Sequence, residues 1–262
     1  MLTPDAIQRA SDHLWQAWQA GRVMASLPGD MRPSTRSEGY AIQARLEART
    51  SQPLFGWKIA ATSAAGQTHI NVKGPMAGRI LAERVVANGA TVSLANNRMR
   101  VAEPEFAFRM GRTLAPRATP YGVEEVMAAV ASLHPAIEVP DSRFEDFTAV
   151  GEAQLIADDA CAHLFMLGDA APDDWRNLDL AIYPVACSVA GKLDCEGSGA
   201  NVLGDPRIAL AWIANELSAL GIGLKAGEVV TTGTCVKPLE VGPGDAASAD
   251  YGRLGRVSLS FS

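Results

Sequence analysis

The chain has no basic run. Its 23 lysines and arginines are scattered among 29 acidic residues over 262 positions, leaving a net charge of −6, so the electrostatic footprint of a nucleic-acid partner is missing. No apolar run is long enough to cross a bilayer. The opening MLTPDAIQRASDHLWQ is polar and periodic, where a secretion signal would place an apolar stretch after a charged start, and the cytoplasm is the expected compartment. Only four cysteines occur, Cys161, Cys187, Cys195 and Cys235, widely spaced and without a CxxC pair. That argues against a zinc ribbon or a disulfide framework and suits reduced thiols. Neither GxSxG nor GxxxxGK is present, which removes the nucleophile elbow and the phosphate-cradling loop. The dinucleotide-like string Gly221-Ile222-Gly223 follows a helical pattern instead of a strand and reads as a helix C-cap. What is there is ordinary globular composition, 48% hydrophobic and 20% charged, sufficient for one large domain or one domain with a small appendage.

The first fifty residues read as helices. Thr3 caps and Pro4 opens a first helix in which Ile7, Ala10, Leu14, Trp15 and Trp18 recur at helical spacing until Gly21. Pro28, Gly29, Asp30 and Pro33 then break the pattern, and Thr35 with Glu38 resembles a capping box that opens a second helix through Leu46 and Ala48. From Leu54 onward the texture is of short β-like runs between glycines, prolines and asparagines. Two helices interrupt it, one over Val123 to Leu133 and one from Asp205-Pro206 to Gly221. Clustered strands with few helices predict an α+β fold, with a helical segment over residues 1–52 and a mixed sheet or β-roll over 53–262.

The segment Ala102-Glu103-Pro104-Glu105-Phe106-Ala107-Phe108 carries most chemical information. On a strand, Glu103 and Glu105 project together while Phe106 and Phe108 fill the other face. Two carboxylates about 4 Å apart repel by roughly 4 kcal/mol at an effective dielectric near 20, which solvent, protonation or a cation must relieve. Two solvated surface glutamates would fit the same pattern, and Pro104 restricts the strand to an edge, a start or a bulge. Glu138 sits in the apolar run Ala136-Ile137-Glu138-Val139, where a lone carboxylate is expensive to bury and needs a partner. Three carboxylates from two strands make a hard-oxygen site for Mg²⁺ or Mn²⁺. An ion pair of Glu138 with Arg143 is the alternative. Lys58, between Trp57 and Ile59, either faces a partly desolvated cavity, where its pKa falls and proton transfer becomes feasible, or snorkels to solvent. His134 and His163 have apolar neighbours and read as structural. Gly233 predicts a turn near the pocket, with Thr234 a candidate donor to a substrate carboxylate.

The strings GWKIAATS, AEPEFAFRMGRTL, AIEVPDSRF, IADDACAHLFMLG, VLGDPRIALAWIANELSALGIGLKAGEVVTTGTC and YGRLGRVSLSF, in this order, resemble the 2-hydroxypenta-2,4-dienoate (2-keto-4-pentenoate) hydratases and their sister 4-oxalocrotonate decarboxylases, of the fumarylacetoacetate hydrolase fold superfamily. The resemblance implies a mixed β-sandwich roll in a homo-oligomer, with a divalent metal, Mg²⁺ or Mn²⁺, on Glu103, Glu105 and Glu138. It also implies proton transfer by Lys58 and a small-molecule dienoate or 2-oxo acid as substrate. Asp141, Ser142, Asp159, Cys161 and Thr234 are then the expected substrate contacts. Two segments depart from the family. Many hydratases carry Asn and Ser where this chain reads Ala157-Asp158-Asp159-Ala160-Cys161. An acid that hydratases place within the segment Asn71–Ile80 is missing, and Lys73 and Arg79 supply positive charge there, for a second carboxylate or for solvent. Only His69 lies where the superfamily's C–C hydrolases use a His–Glu pair. The implied activity is hydration of a short 2-hydroxydienoate in aromatic catabolism. The alternatives are a 4-oxalocrotonate-type decarboxylase and a catalytically altered member that binds oxo acids.

Overall fold

Thr3 and Pro4 start the first helix as the sequence predicts. The Thr3 hydroxyl accepts the Ala6 N–H and Gly21, at φ 61°, ends the helix in the left-handed conformation. The computed structural model describes residues 1–262. Its helices are α1 (Pro4–Ala20), α2 (Arg36–Gln43), α3 (Ala64–His69), α4 (Val123–Met127), α5 (Glu152–Ala157) and α6 (Pro206–Ala219). Its strands are β1 (Gly56–Ala60), β2 (Met76–Ile80), β3 (Val85–Val86), β4 (Thr91–Val92), β5 (Val101–Met110), β6 (Val130–Val139), β7 (Leu164–Leu167), β8 (Pro184–Val189), β9 (Leu193–Ser198), β10 (Val229–Thr234), β11 (Leu239–Glu240), β12 (Ala246–Asp250) and β13 (Arg256–Phe261).

Two helical expectations are shortened. The expected helix over Val123 to Leu133 stops at Met127, because from Val130 the chain pairs with β5 over most of its length and long-range pairing overrides the local pattern. The second N-terminal helix ends at Gln43 and tightens into 3₁₀ turns over Ala44–Arg49. Its capping box is half made. Thr35 receives the Glu38 N–H, but the Glu38 carboxylate takes the N–H groups of Ser34 and Leu2, which hold it down at about 2.

The larger sheet runs β2-β1-β10-β5-β6-β7-β3, with β11 also on β5, and the smaller runs β4-β13-β12-β8-β9. The larger sheet curls: Ile80 of β2 and Phe165 of β7, near its two ends, share one apolar cluster with Ala107, Ala136 and Val229. The other face of β5 turns Phe106 and Phe108 into the main core, where Phe106 meets Tyr251 edge-on at 5.2 Å between centroids. Pro104 sits in mid-sheet opposite a bulge in β10 between Thr231 and Thr234, so the strand tolerates its missing donor by the bulge route.

The free edge of β2 is capped by side chains instead of another strand. Tyr40 Oη accepts the Ala77 N–H, Gln43 Nε2 donates to the Ala77 carbonyl, and Asp159 Oδ1 accepts the Arg79 N–H at 2.6 Å. The N-terminal helices thus close the seam of the roll, and α1 packs Ala6, Ala10 and Leu14 against Phe144 and Ala157. Trp18 on α1 lies under the guanidinium groups of Arg84 and Arg143, at 4.7 and 4.5 Å, and its Nε1–H donates to His163 Nδ1 at 3.0 Å.

The burial of His163 gives a pH dependence. Burial, reinforced by Arg143 and Arg84, lowers His163 from the ordinary 6.5 to about 3. The unfolded chain therefore takes up this proton first, so the contribution is complete above about pH 6.5 and declines as pH falls toward 3, by at most about 1.4 kcal/mol per pH unit. His163→Gln keeps an acceptor for Trp18 without titrating. In urea titrations from pH 8 to pH 5, the native protein is expected to lose stability faster than this variant below pH 6.5, and parallel curves would contradict it.

Candidate active site

The β5–β6 register sets Glu103 directly opposite Glu138, and Glu105 projects on the same face two residues on. One carboxylate oxygen from each of the three lies within 4.8 Å of the others. Glu105 and Glu138 are buried and Glu103 half-buried. Glu105 Oε2 accepts the Gly233 N–H at 2.7 Å and the Thr231 hydroxyl, which fixes the carboxylate against the β10 bulge. Its Oε1 is buried with no partner, as is Glu138 Oε2. Burial, with Glu138 as the next cause, raises Glu103 to about 7 and Glu105 well above the usual carboxylate range; burial alone raises Glu138, against the pull of Lys58. Clustered hard oxygens, two of them buried and unpaired, and carboxylates driven toward neutrality together fit a divalent cation such as Mg²⁺ or Mn²⁺.

Lys58 is 3% exposed, and its Nζ lies 2.9 Å from both Glu138 Oε1 and the Ala160 carbonyl. The expected fall in its pKa is reversed. Burial pushes the ammonium down, but Glu138 and Glu103, followed by Cys161 and Glu105, outweigh it and hold it above its ordinary range. Glu138 accordingly pairs with Lys58 and not with Arg143.

The Ala160 carbonyl is aimed by an unusual turn. Asp159, Ala160 and Cys161 have φ values of 56°, 50° and 62°, three successive non-glycine residues in a region that costs each roughly 1–2 kcal/mol. Gly78, on β2 opposite Lys58, leaves room for it. A Cβ there would stand 2.4 Å from the Asp159 carbonyl oxygen and 2.9 Å from Lys58 Cδ. Gly78→Ala is therefore expected to destabilise the protein by about 1–3 kcal/mol through overpacking, read as a drop of several degrees in Tm. An unchanged Tm would mean that the turn yields freely.

The other sequence candidates have different fates. The Asp141 carboxylate accepts the Arg98 and Met99 N–H groups, and the Ser142 hydroxyl donates to Asp158 at 2.7 Å. Thr234 Oγ1 donates to the Val236 carbonyl. All three therefore hydrogen-bond within loop structure. Asp159 and Cys161 do lie on the turn beside Lys58. Asp159 keeps a buried unpartnered Oδ2, and burial raises its carboxyl to about 7. Arg79 meets neither expectation. It is buried, paired with Glu47, bonded to Gln43 and stacked on Trp57 at 4.7 Å. Lys73 and His69 are exposed. His134 bonds to Ser132 and to the Gly168 carbonyl, as a structural histidine does. Sequence reasoning misses Gly78, Thr231, Asp158 and the Ala160 carbonyl. A glycine inside an apolar strand is the one readable signal among them.

Residues 59–261 match the family described as fumarylacetoacetate (FAA) hydrolase C-terminal. The chain is 30% identical to the 2-keto-4-pentenoate hydratase of Paraburkholderia xenovorans (strain LB400), over 99% of this chain and 96% of that one. It is 29% identical to the 4-oxalocrotonate decarboxylase of Pseudomonas sp, over 98% and 97%. Among solved structures it is similar to 4-oxalocrotonate decarboxylase from Pseudomonas putida G7 complexed with magnesium and adipate, with a TM-score of 0.90, 26% identity and coverage of 100% and 99%.

Proposed function

Because the chain belongs to the fumarylacetoacetate hydrolase C-terminal family, we propose that it is a divalent-metal-dependent lyase that hydrates a short 2-hydroxydienoate, of the 2-keto-4-pentenoate type, to a 4-hydroxy-2-oxo acid. The observation that carries this reading is the junction of Glu103, Glu105 and Glu138 with the buried Lys58. Mg²⁺ or Mn²⁺ on the three carboxylates would supply a Lewis acid for negative charge developing on the substrate's C2 oxygen. Lys58 moves the proton. In the dienol-to-ketone change a proton leaves the C2 hydroxyl and another arrives at C5, and in this reading the Lys58 Nζ, held by Glu138 and the Ala160 carbonyl, carries it. Water then adds at C4 and a proton at C3. Curling of the sheet keeps bulk water away from the buried carboxylates and the ammonium, so their charges act at low dielectric. Residues 53–262 form the catalytic roll in this reading and residues 1–52 its cover, in a cytoplasmic homo-oligomer.

Decarboxylation of a dicarboxylic 2-oxo acid is the second reading, favoured by the full-length structural likeness to a decarboxylase complexed with adipate, itself a dicarboxylate. The test is turnover with Mg²⁺ of 2-hydroxypenta-2,4-dienoate and of 4-oxalocrotonate, following loss of conjugated absorbance and identifying products by mass. Gain of water is the expected result. Loss of CO₂ moves the protein to the second reading, and turnover of neither overturns both.

A further inference from the structure

We infer that the buried Arg143–Asp158 pair is a positioning device for Lys58, acting through the left-handed turn Asp159–Cys161; the inference rests on the proton-transfer role proposed for Lys58. Arg143 and Asp158 are 3% and 2% exposed, and neither hydrogen-bonds to a glutamate of the cluster. Arg143 grips both ends of the turn. Its Nε donates to the Asp158 carboxylate and its Nη2 to the Asp158 carbonyl. Its Nη1 donates to the Ala162 carbonyl at 2.9 Å and to that of Asp141 at 3.0 Å. The carbonyls of residues 158 and 162 bracket the three left-handed residues, so one planar guanidinium fixes the span of the turn. Ser142 Oγ and the Arg143 N–H hold Asp158 Oδ2 from the same side. On the far side Asp159 Oδ1 is tied to the Arg79 N–H of β2. The product of these restraints is one carbonyl, that of Ala160, directed at Lys58 Nζ.

A turn that only connects α5 to β7 needs no three non-glycine residues in the left-handed region, and such conformations persist where the surroundings over-determine them. Lys58 has a further need for this anchor. Its other partner, Glu138 Oε1, belongs to a carboxylate of the cation cluster, whereas the Ala160 carbonyl has no second task. Arg143 therefore governs the place of the ammonium without touching it, as a positioning residue.

Two variants separate this role from plain stability. Arg143→Lys keeps the charge and loses the fork. Asp158→Asn keeps the shape of the side chain and removes the charge that Arg143 grips. Each is measured with Mg²⁺ for kcat and KM, for Tm with and without the metal, and for solvent exchange of the Lys58 Nζ protons in ¹⁵N-lysine-labelled protein, the signal being assigned by its loss in Lys58→Met. Arg143→Lys is expected to lower kcat by roughly 30- to 100-fold and Asp158→Asn by about 10-fold, misplacement of a reacting group being costly at that scale. KM should stay within about threefold if binding contacts are intact. The metal-dependent rise in Tm should persist, and the Lys58 protons should exchange faster in both variants. Native kcat in a folded variant, or lost kcat with unchanged Lys58 exchange, overturns the inference. If Arg143→Lys does not fold, Asp158→Asn decides alone. If the native protein turns over neither substrate, the proposed reaction fails, while the exchange measurement still decides the positioning.

Discussion

Lys58→Met is expected to lower kcat by about 10²–10⁴-fold, the range of a positioned proton carrier, while leaving KM within a few-fold. Methionine fills much of the volume of the lysine stem, so packing beside Gly78 is kept while the ammonium is lost. Removing one partner of a buried ion pair ordinarily leaves a costly charge. Here burial already holds Glu138 above the usual carboxylate range, with Lys58 the influence that pulls it down, so losing the lysine shifts it further toward the neutral form and softens that cost. Circular dichroism should show a cooperative transition in the variant, and steady-state kinetics with Mg²⁺ should show the loss in kcat. A kcat within fivefold of native would remove Lys58 from the chemistry.

Glu105→Gln is expected to act in opposite directions with and without metal. In the native protein a cation present at about 100 times its Kd adds roughly 2.7 kcal/mol to stability, several degrees of Tm at this chain length. The variant replaces a charged oxygen of the cluster by a neutral one and should lose most of that rise, together with turnover. Without metal it should be as stable as the native protein or more so. Glu105 is 1% exposed, its Oε1 has no hydrogen-bond partner, and Glu138 and Glu103 repel its charge, so the uncharged amide relieves a conflict. Differential scanning calorimetry across a Mg²⁺ series resolves both signs. An undiminished metal response in Glu105→Gln would exclude this carboxylate as a ligand.

The strand alternation of β5 and the misfit of Glu138 in an apolar run are legible in the amino-acid order alone, because side-chain direction on a strand follows from period two and buried charge demands a partner. The identity of that partner is not. Arg143 lies five residues from Glu138 and is the nearer choice in sequence, yet the ion pair forms with Lys58, 80 positions away, as set by the strand order β1-β10-β5-β6. Asp141 and Ser142 resemble substrate contacts by their motif alone. Their targets, the Arg98 and Met99 amides and Asp158, are reached only once the loops converge. The left-handed turn has no sequence signal at all, since Asp159, Ala160 and Cys161 are residues that rarely adopt it in succession. Expected helix boundaries fail where long-range pairing takes over, as at Val130, and hold where local caps decide, as at Thr3, Asp205 and Gly21.

The capped edge of β2 also bears on the protein's colloidal behaviour. An uncovered strand edge offers its amides and carbonyls to any extended chain that meets it, the usual beginning of ordered aggregation. Here the covering groups at Ala77 come from Tyr40 and Gln43, upstream of the family-matched region that begins at residue 59. The first fifty residues therefore guard the roll against open-ended association, and a fragment trimmed to begin just before β1 would stick to its own copies.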